Sequence, residues 1–302
     1  VHSDSITLAP EVDLRRVARG TPMFSGAELA ALINESAIIA TLENKDAVDQ
    51  EDLEEARDKI KFGRARHSRK IEEKERIATA YHEAGHTAIQ AMLEDADPVH
   101  KVTIIPRGQA MGATFSLPEK DRYGYGRRYI EATLRVLCAG RIAEQRQTGD
   151  ISSGAAMDIQ MATAYARHMI LDWGMSEKLG FVRYAGDPDR DQILTEKEYS
   201  PETARIIDEE IKSIIDAAYA DAEEMVNTHW DRVKAIAEAL LKYETLQSTE
   251  VQTLMDGGTI DRPTVAELLD AESTPPPDVG HTSTPADTET DEDGGGMLPA
   301  PA

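Results

Sequence analysis

The residues whose types and spacing could do chemistry are His82, Glu83 and His86, in the run His82-Glu83-Ala84-Gly85-His86. Histidines four apart on a helix lie one turn apart on one face, so both imidazoles can bind one metal ion. Zinc held there lowers the pKa of a bound water to about 7 and polarises a peptide carbonyl. Glu83, projecting beside the pair, can accept the proton that water gives up. H-E-x-x-H on a helix is a metallopeptidase pattern, so the expected chemistry is peptide hydrolysis with one zinc per chain. The competing reading is a surface helix with two ordinary histidines.

A catalytic zinc takes three protein ligands and keeps one position for water. A third histidine six residues past His86 would fall on Met92, which excludes the extended metzincin pattern. A carboxylate on a following helix is the other solution, and the candidates are Glu131, Glu144 and Asp158. Spacing does not choose among them; burial ranks them. Asp158 sits among Ala155, Met161 and Ala162, where a carboxylate is costly unless paired or metal-bound. Its alternative is to cap a helix starting near Ile159. Glu144 follows Arg141-Ile142-Ala143 and suits a partner that orients a ligand imidazole, or it is an ordinary surface glutamate.

These residues need helices to hold them, and the patterning supplies helices almost throughout. Residues 1–65 predict a small helical unit: a short amphipathic stretch over Glu11–Arg19, a helix over Ala27–Asn44 behind the capping box Ser25/Glu28, and a third helix capped by Asp49 and running to Ile60. Residues 66–76 are charged and predict a connector. A helix over Ile77–Met92 carries the histidines. Residues 99–105 and 111–117 alternate like two strands around the turn Pro106-Arg107-Gly108, predicting a hairpin. Further helices are expected over 127–147, 154–173, 201–225, 228–242 and 248–256. One of them is announced by Ser200-Pro201-Glu202, a capping hydroxyl and then proline at the first helical position. The fold class is mainly α with a small β-hairpin, and 77–272 forms the catalytic domain. Residues 273–302 are rich in Pro, Thr, Asp, Glu and Gly and predict a disordered acidic tail.

The 302 residues carry a formal net charge of -23, which argues against a nucleic-acid partner. The one cysteine, Cys138, cannot form an intrachain disulfide and reads as an apolar filler. No stretch approaches the roughly 20 apolar residues of a membrane span. Tyr123, Tyr125 and Tyr129, interleaved with Arg122, Arg127 and Arg128, predict a loop near the cleft in preference to a base-stacking platform. The chain opens Val1-His2, as a piece of a longer polypeptide would.

The run Ala80-Tyr81-His82-Glu83-Ala84-Gly85-His86 resembles the FtsH family of ATP-dependent membrane proteases. Ala18–Leu29 (ARGTPMFSGAEL) resembles the lid of that family's AAA ATPase module, and Val102–Gly108 (VTIIPRG) its protease hairpin. Gly140–Glu144, Ser153–Ile159, Ser176–Gly180 and Lys242–Leu246 resemble further blocks, so the likeness covers about residues 8–258. The resemblance implies a helical AAA lid followed by a zincin-type peptidase domain, with Asp158 as third zinc ligand. It also implies a homo-hexameric ring fed with unfolded or membrane-derived polypeptide, which would lie along the strand Ala110–Phe115. Gly26 and Ala27 match a lid segment that approaches nucleotide. The sequence departs from the family in lacking a G-x-x-x-x-G-K-[ST] phosphate loop, so ATP and magnesium belong to a complete enzyme. That enzyme would sit at the cytoplasmic face of the inner membrane, anchored through a missing N-terminal segment, whereas this chain alone is expected to be soluble. A non-catalytic assembly scaffold and a stand-alone, ATP-independent peptidase are the rival expectations.

Overall fold

The computed structural model describes residues 2–22, 24–64, 71–107, 111–116, 124–186, 199–264 and 267. The acidic tail, residues 66–70 of the connector, and Gly108, Ala110, Leu117, Arg122 and Tyr123 lie outside the described residues. Elements in chain order are α1 (Leu14–Arg19), α2 (Gly26–Leu42), α3 (Gln50–Phe62), α4 (Glu73–Met92), β1 (Val99–Thr103), β2 (Ala113–Ser116), α5 (Arg127–Thr148), α6 (Ala156–Leu171), α7 (Pro201–Thr228), α8 (Trp230–Tyr243), β3 (Thr245–Gln247) and α9 (Ser248–Met255). The mainly α reading with a small sheet is the observed architecture.

Local chemistry sets the boundaries. The Ser25 and Glu28 pair forms the expected reciprocal box at the start of α2, and Asp49 and Asp52 form a second at α3. The first helix is shorter than expected because Asp13 caps it, accepting from the Arg15 N–H at 2.9 Å. In contrast, α4 begins four residues before Ile77, with Glu73 and Glu75 in a first turn that favours negative charge. Gly149, with φ of 74°, takes the left-handed conformation that ends α5 just past Thr148.

In the N-terminal helices, Val17, Leu32, Ala40, Val48, Leu53 and Ala56 form a core of their own. The larger core lies between α4, α5 and α8, where Ala80, Ala84, Ala88, Ala139, Ala143, Ile236 and Leu240 meet. The α4–α5 seam is built from small residues. A Cβ at Gly85 would lie 2.5 Å from the Ala139 carbonyl oxygen, so only glycine lets the two backbones approach this closely.

The expected hairpin is part of a three-stranded antiparallel sheet in the order β2-β1-β3. Val102 on β1 opposes Thr114 on β2 and Leu246 on β3. The third strand is absent from the sequence reading: three residues between two helices are too few for an alternation to show. The charges of α3 meet this sheet. His100 lies 3.2 Å from Glu54, Lys101 pairs with Asp58, and Arg107 grips Glu55 through two hydrogen bonds of 2.9 and 2.6 Å.

Candidate metal centre

Three helices supply the site. His82 and His86 project from one face of α4, their rings edge-to-face with centroids 4.6 Å apart. Asp158 comes from the first turn of α6, where the helix dipole favours a carboxylate. It does not cap that helix: Ala155 holds the cap position. Glu144 comes from α5 and is buried.

The hydrogen bonds fix the tautomers. His86 Nδ1 lies 2.7 Å from the Val136 carbonyl oxygen, which can only accept, so Nδ1 donates. His82 Nδ1 lies 3.2 Å from Glu144 Oε2 and donates likewise. In their neutral forms both rings therefore present an Nε2 lone pair to the same point. Those two Nε2 atoms are 3.0 Å apart, and Asp158 Oδ2 lies 3.1 Å from one and 3.5 Å from the other. Three electron-rich atoms converging in a largely buried place repel one another unless a cation joins them. Ligand bonds of about 2.0–2.1 Å around a tetrahedral zinc put donor atoms roughly 3.3 Å apart, which is the spacing found. His82, His86 and Asp158 are the group of His, Cys, Asp or Glu residues among those described whose donor atoms could hold one ion.

Electrostatics agree with the donor chemistry. Burial disfavours a charged His82, but hydrogen bonds to Asp158 and Glu144 overcome it and raise the ring to about 10. Burial likewise pushes Asp158 up, and the His82 and His86 rings overcome that to hold it well below the ordinary carboxylate range. The same opposition, burial against the His82 hydrogen bond, leaves Glu144 lowered.

Glu83, on the neighbouring face of α4, is buried, and its Oε2 accepts from the Thr114 hydroxyl at 2.8 Å. The other candidate, Glu131, forms an ion pair with Arg127 on α5 at 2.8 Å and is outside the group of converging donors. Gly26 and Ala27 form the exposed first turn of α2 and take no part in this centre. Cys138 is buried, and burial pushes its thiol up to about 11, as suits an inert filler. Tyr125 and Tyr129 stack on each other, and Tyr125 continues onto Trp173, which is packing within the helical domain.

Two contributors escaped the sequence reading. Gly140 on α5 leaves the space in which the imidazoles sit, since a Cβ there would lie 2.5 Å from His86 Nε2 and 2.9 Å from His82 Nε2. A glycine inside a helix costs about 1 kcal/mol relative to alanine, so its presence was a readable signal of close approach. Thr114 gave no signal.

Known proteins resemble the chain over the same regions. Residues 69–254 match the model of peptidase family M41, and residues 11–55 match the AAA+ lid domain. The chain is 47% identical over 306 residues to the ATP-dependent zinc metalloprotease FtsH 2 of Methylacidiphilum infernorum (isolate V4), covering 99% of this chain and 47% of that protein. It is 45% identical over 260 residues to ATP-dependent zinc metalloprotease FtsH of Chlamydia trachomatis serovar L2, covering 85% and 28% of the two chains. Against the protein of the same name from Haemophilus influenzae the figures are 43% over 262 residues, 85% and 41%. The chain thus spans less than half the length of these curated relatives.

Proposed function

The chain belongs to peptidase family M41, and we propose from that membership and from the converging lone pairs that it is a zinc-dependent endopeptidase. His82, His86 and Asp158 would hold the zinc, and Glu144 would keep the His82 ring in its tautomer. Zinc bound there supplies Lewis acidity, polarising a carbonyl and lowering the pKa of water to about 7. Glu83 is the general base: it takes a proton from the attacking water and returns it to the departing amine. The small sheet supports a substrate role for β2, which is an outer strand among the described residues and whose edge can pair with an extended peptide.

We propose a wider setting from the same family membership. The complete protein is a homo-hexameric, ATP- and magnesium-dependent protease of the FtsH type, degrading unfolded or membrane-derived polypeptides at the cytoplasmic face of the inner membrane. Residues 1–65 act as the AAA lid, with Gly26 and Ala27 toward nucleotide, and 77–272 as the peptidase domain. Among the described residues no helix is long and apolar enough to cross a membrane.

The convergence of His82, His86 and Asp158 carries the peptidase reading. Its test is Glu83→Gln on the full chain: zinc content stays at that of the parent, and casein cleavage falls to background. Cleavage retained by that variant removes Glu83 from its assigned role.

A further inference from the structure

Helix α4 presents two faces to two different tasks. His82 and His86 turn toward α5 and α6, while Glu83, Thr87 and Gln90, spaced by four and three residues, line the face toward β2. Opposite them stand Thr114 and Ser116, which alternate with Phe115 and so share one face of the strand. Gln90 Nε2 donates to Ser116 Oγ at 2.7 Å, and Thr114 Oγ1 lies 2.8 Å from Glu83 Oε2 and 3.3 Å from Thr87 Oγ1.

The direction of these bonds follows from the proton inventory. The Thr114 hydroxyl donates to Glu83 Oε2, and it has a single hydrogen to give. Thr87, fully buried, must then donate to Thr114. The result is an oriented chain, Thr87 to Thr114 to Glu83, in which each bond strengthens the next. The backbone closes on the same carboxylate from the other oxygen: a Cβ at Gly112 would lie 2.8 Å from Glu83 Cγ and 2.9 Å from Oε1. One oxygen of Glu83 is tied down, and the carboxylate is confined by the segment Gly112–Thr114.

We infer that Thr114 is a positioning residue for the peptidase reaction: its hydroxyl fixes Glu83 Oε2 so that Oε1 is the oxygen that takes the proton. This rests on Glu83 being the general base, as proposed above. Because Thr114 belongs to β2, it also ties the orientation of the base to the strand on which substrate is proposed to lie. Holding a base in register with its water is worth orders of magnitude when lost, even where nothing touches the reacting atoms.

The test compares Thr114→Val, which keeps shape and removes the hydroxyl, with Thr114→Ser, which keeps the hydroxyl. Each full chain is loaded with zinc and assayed for kcat and KM on a fluorogenic peptide. Zinc-free chains are measured by infrared difference spectroscopy against Glu83→Gln, which isolates the Glu83 carboxylate bands. Thr114→Val is expected to lower kcat about 10- to 100-fold, as loss of a hydrogen bond to a charged group would. KM and zinc content should stay near those of the parent, and the carboxylate band should shift. Thr114→Ser should recover most of kcat and restore the band. Unchanged kcat in Thr114→Val, an unmoved band, or a serine variant as slow as the valine one overturns the inference. A parent that shows the expected band when zinc-free yet cleaves nothing when zinc-loaded contradicts the peptidase reading itself, and the positioning role falls with it.

Discussion

Among the described residues, two buried clusters join acids with histidines, and they differ in where their positive charge comes from. Where α3 meets the sheet, Glu54 faces Arg16 and His100, Glu55 faces Arg107, and Asp58 faces Arg57 and Lys101. The protein supplies a cation for every carboxylate. Where α4, α5 and α6 meet, the ion-pair partners of Asp158 and Glu144 among the described residues are imidazole rings. Those rings have already turned their Nδ1 protons outward. Buried charge is tolerated when it is paired and hydrogen-bonded, so the first cluster is closed and structural. The second brings together three donor atoms that could hold one metal ion. Similar residue types therefore read as architecture in one place and as a binding site in the other.

Asp158→Asn separates the two clusters most sharply. Removing the one charged donor of three should weaken zinc binding on the order of 1000-fold or more, measured by competition with a chromogenic chelator, while leaving the α3 cluster untouched. Affinity unchanged within a few-fold would remove Asp158 from the ligand set. The converse variant is Asp58→Asn. Breaking a buried pair strands its partner and costs about 3–5 kcal/mol, here exposing Arg57 and Lys101 without a counter-charge. The urea midpoint of the zinc-loaded chain should fall, with zinc affinity the same as in the parent; a changed zinc affinity would mean that the two clusters are not separate.

The smallest expected effect is a pH dependence at Glu54. Burial would raise its carboxyl, but the His100 hydrogen bond and the charges of His100 and Arg16 hold it at about 2, against an ordinary 4.5. A carboxyl lowered on folding contributes stability that is fully present above its unfolded value and lost as pH falls toward the folded one. The stability advantage of the parent over Glu54→Gln should therefore be constant above about pH 4.5 and shrink between 4.5 and about 2. An advantage that stays level across that range contradicts the pairing as the cause.

The sequence made one of these clusters visible and hid the other. His82 and His86 are legible because helical spacing alone puts them together. Asp158 was rankable, since a carboxylate among Ala155, Met161 and Ala162 needs a reason to be there, but its selection over Glu144 and Glu131 required the family likeness. Glu54, Glu55 and Asp58 look like the solvated face of an ordinary charged helix, because, Arg57 beside Asp58 apart, their cations arrive from distant parts of the chain and no local pattern announces them. Thr114 is hidden for the same reason: its role depends on a strand meeting a helix thirty-one residues earlier. Helices with strong caps, such as α2 and α7, begin within one residue of where the caps place them, while their C-terminal ends differ by two or three. Three-residue β3 was not, since its pairing to β1 comes from tertiary packing rather than from any period.

X-ray absorption at the zinc edge, on the fully loaded chain, tests most directly whether the uncompensated cluster is a metal site. The expected spectrum shows one zinc per chain with nitrogen and oxygen neighbours at about 2.0–2.1 Å, two of them imidazole, and no sulfur. Zinc well below one per chain after careful loading, or a sulfur neighbour at about 2.3 Å marking Cys138 as a ligand, would contradict it.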